Sequence, residues 1–144
     1  TQYDLLIVIM IAFLFYIHII TLLWNLNIRL DFNRMLAPAY AILFLVLGQL
    51  IGHAKQNWTV GIRTPWTLSS ELVWDKTHQF GGKLFAMSGL ICLLGIIFPS
   101  YTIYFLLIPI LLASATSYIY SYIIYTKYAQ KKPSTSTSQK KVKK

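Results

Sequence analysis

The three histidines of this chain are the side chains best suited to metal binding or proton transfer. His18 lies within a long apolar run, whereas His53 and His78 lie at or beyond the ends of two others. His53 lies near one end of its helix. At about 1.5 Å per helical residue, His18 would lie roughly 20 Å from the corresponding end of the first helix, so the two histidines could not easily bind one ion. No His-x-x-x-His pair or cysteine partner accompanies them. We therefore expect no metal site, no haem and no other cofactor.

The four acidic residues do not suggest a catalytic pair. Only Glu71 and Asp75 are close in sequence, one helical turn apart, and surface ion pairs with Lys76 suit that spacing better than acid–base catalysis. No glycine-rich phosphate loop, nucleophile elbow or zinc motif is present in the sequence. We expect the protein not to be an enzyme. A membrane enzyme acting on lipid or envelope substrates is the least favoured alternative.

The residues of greatest functional interest lie in one polar segment, residues 57–82, which reads NWTVGIRTPWTLSSELVWDKTHQFGG. Gly61 permits a backbone conformation closed to other residues, and the Thr-Pro pair after Arg63 forces an extended residue before a fixed turn. The natural partners of the Arg63 guanidinium are Glu71, Asp75, a lipid phosphate or a bound peptide carboxylate. A connector that only packs one end of the molecule is the simpler alternative for this segment.

A short amphipathic helix is predicted in the second half of the polar segment. Ser69 or Ser70 can cap it, and Glu71 lies in its first turn, where the helix dipole favours an acid. Its apolar face holds Val73, Trp74, Thr77 and Phe80, and its polar face holds Asp75, Lys76 and Gln79. We expect Gly81 and Gly82 to stop this helix, which would then lie in the membrane interface.

Four apolar blocks surround the polar segment and predict membrane-spanning helices. The chain is 56% hydrophobic and only 12% charged, roughly half the charged share of a soluble domain. The blocks approach the roughly 20 residues that a helix needs to cross a bilayer, and they are too long for barrel strands. The sequence predicts an all-α integral membrane four-helix bundle. The predicted transmembrane domain, 1–126, has spans at about 5–26, 37–54, 80–98 and 101–126, with a central loop at 55–83.

The basic residues predict the orientation of the bundle. All of the 13 Lys and Arg residues except Arg29 and Arg34 lie in the central loop or the C-terminal tail. Because basic loops remain in the cytoplasm, we expect residue 1, the central loop and the tail to be cytoplasmic. The tail, 127–144, is predicted to be disordered. The formal net charge of +9 indicates anionic membrane lipid as a partner, rather than direct contact with nucleic acid.

His18 and Gln49 are polar residues inside predicted spans. An ionisable group within the membrane is a functional hypothesis by default. For His18, a hydrogen bond to another helix is the simpler interpretation. The two residues also suggest an alternative function, in which the chain is a small permease or channel-type subunit that oligomerises and uses both side chains along a polar path.

The polar segment follows the pattern N-x-x-x-G-I-R-T-P-W-T-L-S-S-E-x-V-W-x-K-T-H-x-x-G-G and is followed by an apolar span. Its candidate site residues are Asn57, Gly61, Arg63, Thr64, Pro65, Trp66, Thr67, Ser70, Glu71, Trp74, Thr77, His78, Gly81 and Gly82. This long, contiguous pattern resembles the signature of the SdpI family of bacterial immunity proteins. The chain differs from the family pattern in two ways. Position 79 is glutamine, where a basic residue is expected. Longer relatives carry an additional apolar region before the first span, which is not in this sequence.

The resemblance implies a multi-pass membrane protein that protects a producing cell from a secreted, membrane-damaging peptide toxin. It also implies a signalling role, in which the toxin-engaged protein draws a transcriptional repressor to the membrane. On this hypothesis the spans intercept the toxin. The loop, centred on Arg63, Trp66, Glu71 and Trp74, then stabilises the competent state or docks a partner. Because the chain begins with Thr1, we expect it to be trimmed or part of a longer protein.

Overall fold

The computed structural model of this chain describes residues 2–129, and all regular elements in that range are helical. They are α1 (Gln2–Asn25), α2 (Phe32–Gly52), α3 (Pro65–Ser69), α4 (Glu71–Cys92), α5 (Leu94–Ile97), a 3-10 turn (Pro99–Tyr101) and α6 (Thr102–Ala129). Four helical stretches in the described range are long and apolar enough to cross a membrane, namely Tyr3–Asn25, Phe32–Gly52, Glu71–Ile97 and Pro99–Tyr128. The predicted all-α, four-helix membrane bundle is confirmed.

Helix α4 is the centre of the bundle. It packs along α2 on one side and along α6 on the other, whereas α1 contacts only α2 among the described elements. The apolar core between α2, α4 and α6 is built around Ala41, Phe44 and Cys92. This arrangement brings one end of α2, α4 and α6 together with the polar segment.

Glycines allow α2 and α4 to approach at backbone distance. A Cβ added to Gly82 would lie 2.5 Å from the Gly48 carbonyl oxygen and 2.7 Å from the Gly52 nitrogen. A Cβ added to Gly89, further along α4, would lie 2.8 Å from the Ala41 carbonyl oxygen. Close helix contacts at small residues are a common way to associate helices in membranes, where burial of apolar surface gives little driving force.

Helix α4 begins as the sequence predicts. Ser70 is its N-cap and accepts a hydrogen bond from the Val73 N–H at 3.5 Å, and Glu71 lies in its first turn. The predicted faces agree with the structure in part: Val73, Trp74 and Thr77 are buried and Asp75 and Gln79 are exposed. Phe80 and Lys76, assigned to opposite faces, are both half-buried.

The predicted end of that helix at Gly81 and Gly82 is wrong. Helix α4 continues through both glycines to Cys92, so much of the expected 55–83 loop is the first part of a long helix. The two glycines are buried against neighbouring helices, and these contacts outweigh the low helix propensity of glycine. The short separate helix of the loop is instead α3.

The C-terminal tail is only partly within the described range. Residues 127–129, which were assigned to the predicted tail, belong to α6. The remainder of the predicted disordered basic tail, from residue 130 onward, lies outside the described residues.

Candidate functional site

The loop after α2 begins with a turn organised by Asn57. The Asn57 side-chain oxygen accepts hydrogen bonds from the N–H groups of Thr59 at 2.8 Å and Val60 at 2.7 Å. Its amide nitrogen donates to the Lys55 carbonyl at 2.8 Å. Asparagine is favoured in turns because its side chain can bond its own nearby backbone in this way. The turn returns the chain toward α4.

Gly61 lies against the ring of His78 and has φ of +127°. A Cβ at this position would lie 2.3 Å from His78 Nε2, so both the backbone angle and the close approach require glycine. The next residue, Ile62, donates its backbone N–H to His78 Nε2 at 2.8 Å. Gly61 therefore allows the loop backbone to reach a histidine on α4.

His78 is a buried structural residue. Its Nε2 accepts the Ile62 N–H, so the proton of the neutral ring lies on Nδ1, which donates to the Trp74 carbonyl at 2.8 Å. The residue is only 1% exposed. Both ring nitrogens are engaged by the backbone, and neither is available to a metal ion or a substrate.

Trp74 connects α4 to the end of α2. Its indole N–H donates to the Ala54 carbonyl at 2.7 Å, and its ring stacks on that of His78 with centroids 3.8 Å apart and planes 17° apart. The Trp74 side chain is fully buried, at 0% exposure. A buried indole N–H needs a partner, and this bond ties the chain just after α2 to α4.

Helix α3 is held by a capping box between Thr64 and Thr67. The Thr67 N–H donates to Thr64 Oγ1 at 3.2 Å, and the Thr64 N–H donates to Thr67 Oγ1 at 2.9 Å. Pro65 occupies the first helical position, where no N–H is needed. At the other end of α3, the Gln56 side chain donates to the Thr67 carbonyl at 2.8 Å. These bonds make so short a helix stable in this setting.

Two contacts join α3 to α6. Thr64 Oγ1 donates to Ser121 Oγ at 3.1 Å, and Ser121 in turn donates to the Tyr118 carbonyl at 2.7 Å. The Trp66 ring meets those of Tyr118 and Tyr122 edge to face, with centroids 5.3 Å and 5.1 Å away. These two tyrosines lie one helical turn apart on α6, so Trp66 packs across that turn. We call Thr64, Trp66, Thr67, Trp74 and His78 the inner cluster.

Gly81 and Thr77 lie on the face of α4 that meets α6 and the loop. A Cβ on Gly81 would lie 2.3 Å from Ile62 Cδ1 and 3.0 Å from Ser117 Oγ. The hydroxyls of Thr77 and Ser117 are buried and have no hydrogen-bond partner within residues 2–129. The site therefore contains two buried polar groups that the fold does not satisfy.

Several residues of the polar segment face outward. Arg63, Pro65 and Glu71 are exposed. The Arg63 guanidinium donates to the Trp58 carbonyl, and in the described part of the chain it forms no ion pair with Glu71 or Asp75, the acids expected as natural partners. Trp58 is 76% exposed. The polar segment thus has an inner side that holds the fold and an outer side that can contact other molecules.

The two polar residues predicted inside spans do not lie in the interior of the bundle. His18 on α1 and Gln49 on α2 are both exposed on the surface of the chain. The Gln49 carbonyl lies 2.9 Å from His53 Nδ1. Among the residues that the structure describes, no three His, Cys, Asp or Glu side chains come together in a way that could hold a metal ion.

A cleft of about 550 Å³ lies beside the Asn57 turn. It separates the start of α1 from the end of α2 and is lined by Tyr3, Leu6, Leu50, Ala54, Asn57, Thr59 and Val60. Because the Trp74 indole bonds the carbonyl of Ala54, one wall of this cleft is held by the inner cluster.

Sequence reasoning missed four residues that position the site: Gln56, Ser121, Gly48 and Gly52. The Gly-x-x-x-Gly spacing at 48–52 is a known signal for close helix contact in an apolar helix. Nothing in the sequence marks Gln56 or Ser121, since their roles depend on the position of α3.

Comparison with known proteins is consistent with this geometry. Residues 53–122 match the SdpI/YfhL protein family, and this range contains the whole inner cluster and its partners on α6. The chain is also similar to Immunity protein SdpI of Bacillus subtilis (strain 168), with 30% identity over 119 residues, which is 82% of this chain and 58% of that protein. The chain thus spans little more than half the length of this relative. No solved structure matches it. Residues 53–122, just under half of this chain, therefore match the SdpI/YfhL protein family, and the similarity to Immunity protein SdpI extends over a longer part of the chain.

Proposed function

We propose that this chain is an immunity protein that protects the producing bacterium from a membrane-active peptide toxin. The observation that carries the proposal is the similarity to Immunity protein SdpI across 82% of the chain. The four helices that are long and apolar enough to cross a membrane support this proposal, because a membrane-active peptide acts in the bilayer. The spans intercept the peptide in the bilayer, and membrane lipid is the second partner.

The proposed action is binding rather than catalysis. The one fully buried histidine, His78, uses both ring nitrogens for backbone hydrogen bonds, and the acids Glu71 and Asp75 are exposed. Catalytic acids and bases must reach a substrate proton, and His78 is not accessible to one. The inner cluster instead supports a role in holding α2, α4 and α6 in one arrangement.

The outer side of the polar segment is the proposed site for a cytoplasmic partner. The positive-inside rule supports a cytoplasmic location for this segment and the tail. Arg63 and Glu71 are exposed there and carry opposite charges, so they suit a polar protein surface. A transcriptional repressor held at the membrane by the toxin-engaged protein is the proposed partner, and the signal would be its removal from DNA.

Survival of a toxin-sensitive bacterium that expresses the full protein tests immunity. We expect Arg63→Ala to reduce survival without lowering the amount of protein in the membrane. Lys55→Ala is the matched control, because Lys55 is also an exposed cation of this loop, and we expect it to have no effect. Unchanged sensitivity on expressing the unmodified protein would refute the immunity function.

Labelling with an impermeant maleimide tests the orientation separately. Thr59 is exposed in the loop, so Thr59→Cys in a background with Cys92→Ala gives a single reactive thiol. We expect labelling in inverted membrane vesicles and none in intact cells. Labelling in intact cells would place the loop outside and exclude a cytoplasmic repressor as its partner.

A further inference from the structure

Two of the membrane helices are longer than the bilayer requires. The stretches Glu71–Ile97 and Pro99–Tyr128 have 27 and 30 residues, which corresponds to about 40–45 Å of helix. The hydrocarbon core is about 30 Å thick. Roughly 10 Å of each stretch must therefore lie outside the hydrocarbon, unless both helices tilt strongly.

The excess length lies at the end of the bundle that carries the polar segment. At the opposite end, where Pro99 joins the two stretches, Ile97 is 66% exposed and Phe98 is 52% exposed. Large apolar side chains that no described residue covers belong in the hydrocarbon. The polar segment packs instead against the first turns of α4 and the last turns of α6. We call the end with the polar segment the loop-side end.

Lys83 on α4 and Gln49 on α2 lie at the same depth near the loop-side end. Each directly follows a glycine of the close helix contact, because Gly82 and Gly48 meet at backbone distance. Both polar side chains are exposed. A lysine at the centre of a bilayer is costly, whereas a lysine near the end of a span extends to the headgroups. The depth of this polar pair therefore indicates the edge of the hydrocarbon.

Helix α6 reaches the same depth at Tyr118. The preceding residue, Ser117, lies beside Gly81 of α4. Tyr118 and Tyr122 are 52% and 51% exposed, and both meet the ring of Trp66. Tyrosine and tryptophan are enriched where hydrocarbon meets headgroups, because their rings are apolar and carry a polar group. This aromatic cluster thus begins at the depth that the polar pair marks on α2 and α4.

The length of chain below this depth fits one bilayer on all three helices. The uncharged stretches between the two ends run from Arg34 to Gln49, from Lys83 to Ser100 and from Tyr101 to Tyr118. Each corresponds to about 22–26 Å at the rise of a helix. Long polar side chains at the two ends supply the few further ångströms needed to reach the headgroups.

We propose that the loop-side end of the bundle is an interaction surface for phospholipid headgroups. The hydrocarbon ends within about one helical turn of Gln49, Lys83 and Tyr118. Helix α3, the first turns of α4 and the last turns of α6 lie beyond this edge. The inner cluster is then at headgroup depth, which suits its many polar contacts. This placement rests on the membrane location of the bundle and not on immunity, so label depth and bacterial survival can fail independently.

Spin labels at two isoleucines of α6 test the placement. The full protein with Cys92→Ala is reconstituted in vesicles of phosphatidylcholine and phosphatidylglycerol, and Ile108→Cys or Ile119→Cys carries one nitroxide. The two side chains are a matched pair, with exposed fractions of 53% and 57%. They are equally far from the centre of Pro99–Tyr128, so a fully embedded helix gives both the same ratio of oxygen to nickel-complex accessibility. We expect a several-fold higher ratio at Ile108, because Ile119 lies about 12 Å nearer the headgroups in the proposed placement.

Met87 and Leu90 on α4 give an independent test. Their exposed fractions are 56% and 55%. The midpoint between Lys83 and Ser100 is closer to Leu90, whereas the centre of Glu71–Ile97 is closer to Met87. We therefore expect the higher ratio of oxygen to nickel-complex accessibility at Leu90→Cys, in the same vesicles and background. Equal ratios at the two α6 positions, or the reverse order on α4, would overturn the proposal.

Discussion

The contact between Gly82 on α4 and Gly48 on α2 makes a sharp prediction about the substitution Gly82→Ala. The added Cβ would lie 2.5 Å from the Gly48 carbonyl oxygen, and 2.7 Å and 2.8 Å from the nitrogen and Cα of Gly52. All three are backbone atoms, which cannot rotate away as a side chain can. Moving the first contact from 2.5 Å to an ordinary 3.4 Å requires the helices to separate locally by roughly 0.9 Å.

The expected cost follows from two opposing effects. Overpacking a tight contact destabilises by about 1–3 kcal/mol, and the backbone clash favours the upper part of that range. Alanine returns at most about 1 kcal/mol through its higher helix propensity. We therefore expect Gly82→Ala to lower the free energy of unfolding by about 2 kcal/mol. This corresponds to a Tm lower by about 4–8 °C in detergent.

Gly52→Ala is the matched control at the same helix contact. A Cβ there would meet only Gly82 Cα and the His78 carbonyl oxygen, both at 3.9 Å, which is ordinary van der Waals distance. We expect its Tm to equal or slightly exceed that of the unmodified protein. Thermal unfolding of the two purified variants followed by tryptophan fluorescence measures the difference. Equal Tm values for Gly82→Ala and Gly52→Ala would refute the close α2–α4 contact.

Four further substitutions test the site around the polar segment. Ser121→Ala removes bonds to α3 and to a backbone carbonyl, so we expect it to lower stability by about 1 kcal/mol. Ser117→Ala removes a buried hydroxyl with no partner in the described chain, so we expect thermal unfolding to show no loss of stability. A loss of stability as large as that of Ser121→Ala would instead indicate that a bound water satisfies the hydroxyl. Trp66→Ala removes two edge-to-face ring contacts, so it should lower the Tm measured in detergent. Trp58→Ala is the control and should not lower the Tm, because Trp58 is 76% exposed. His78→Phe keeps an aromatic ring but leaves the part-buried Ile62 N–H without its partner, so a cost of about 1–3 kcal/mol is expected. Hydrogen exchange of the loop amides measures this cost, and unchanged protection at Ile62 would contradict the hydrogen bond.

The sequence was sufficient to predict the helices because their signals are local. Apolar blocks of nearly span length indicate membrane helices whatever their neighbours are, and the structure has four such stretches. The start of α4 was also predictable, since Ser70 and Glu71 follow the capping and dipole preferences of a helix N-terminus. These features depend on residues a few positions apart.

The errors arose where a tertiary contact decides the outcome. Gly81 and Gly82 are poor helix formers, and the predicted stop followed from that propensity alone. In the structure, Gly82 meets the backbone of α2, while Gly81 leaves room for the side chains of Ile62 and Ser117. The same residue type thus signals a helix end or a close helix contact. A single sequence does not show which one applies, because the partner helix is distant along the chain.

The exposure of each site residue changes how mutations in the polar segment should be interpreted. Trp74 and His78 are fully buried, and both use their polar groups to hold the backbone, so a loss of immunity on changing them would report a disturbed fold. Arg63 and Glu71 are exposed, and a loss at either with normal Tm would report a lost contact with a partner. Because Immunity protein SdpI is longer than this chain, the comparison is best made first within residues 53–122, the range of the family match. A variant that keeps its Tm and loses protection is therefore the observation that separates recognition from folding.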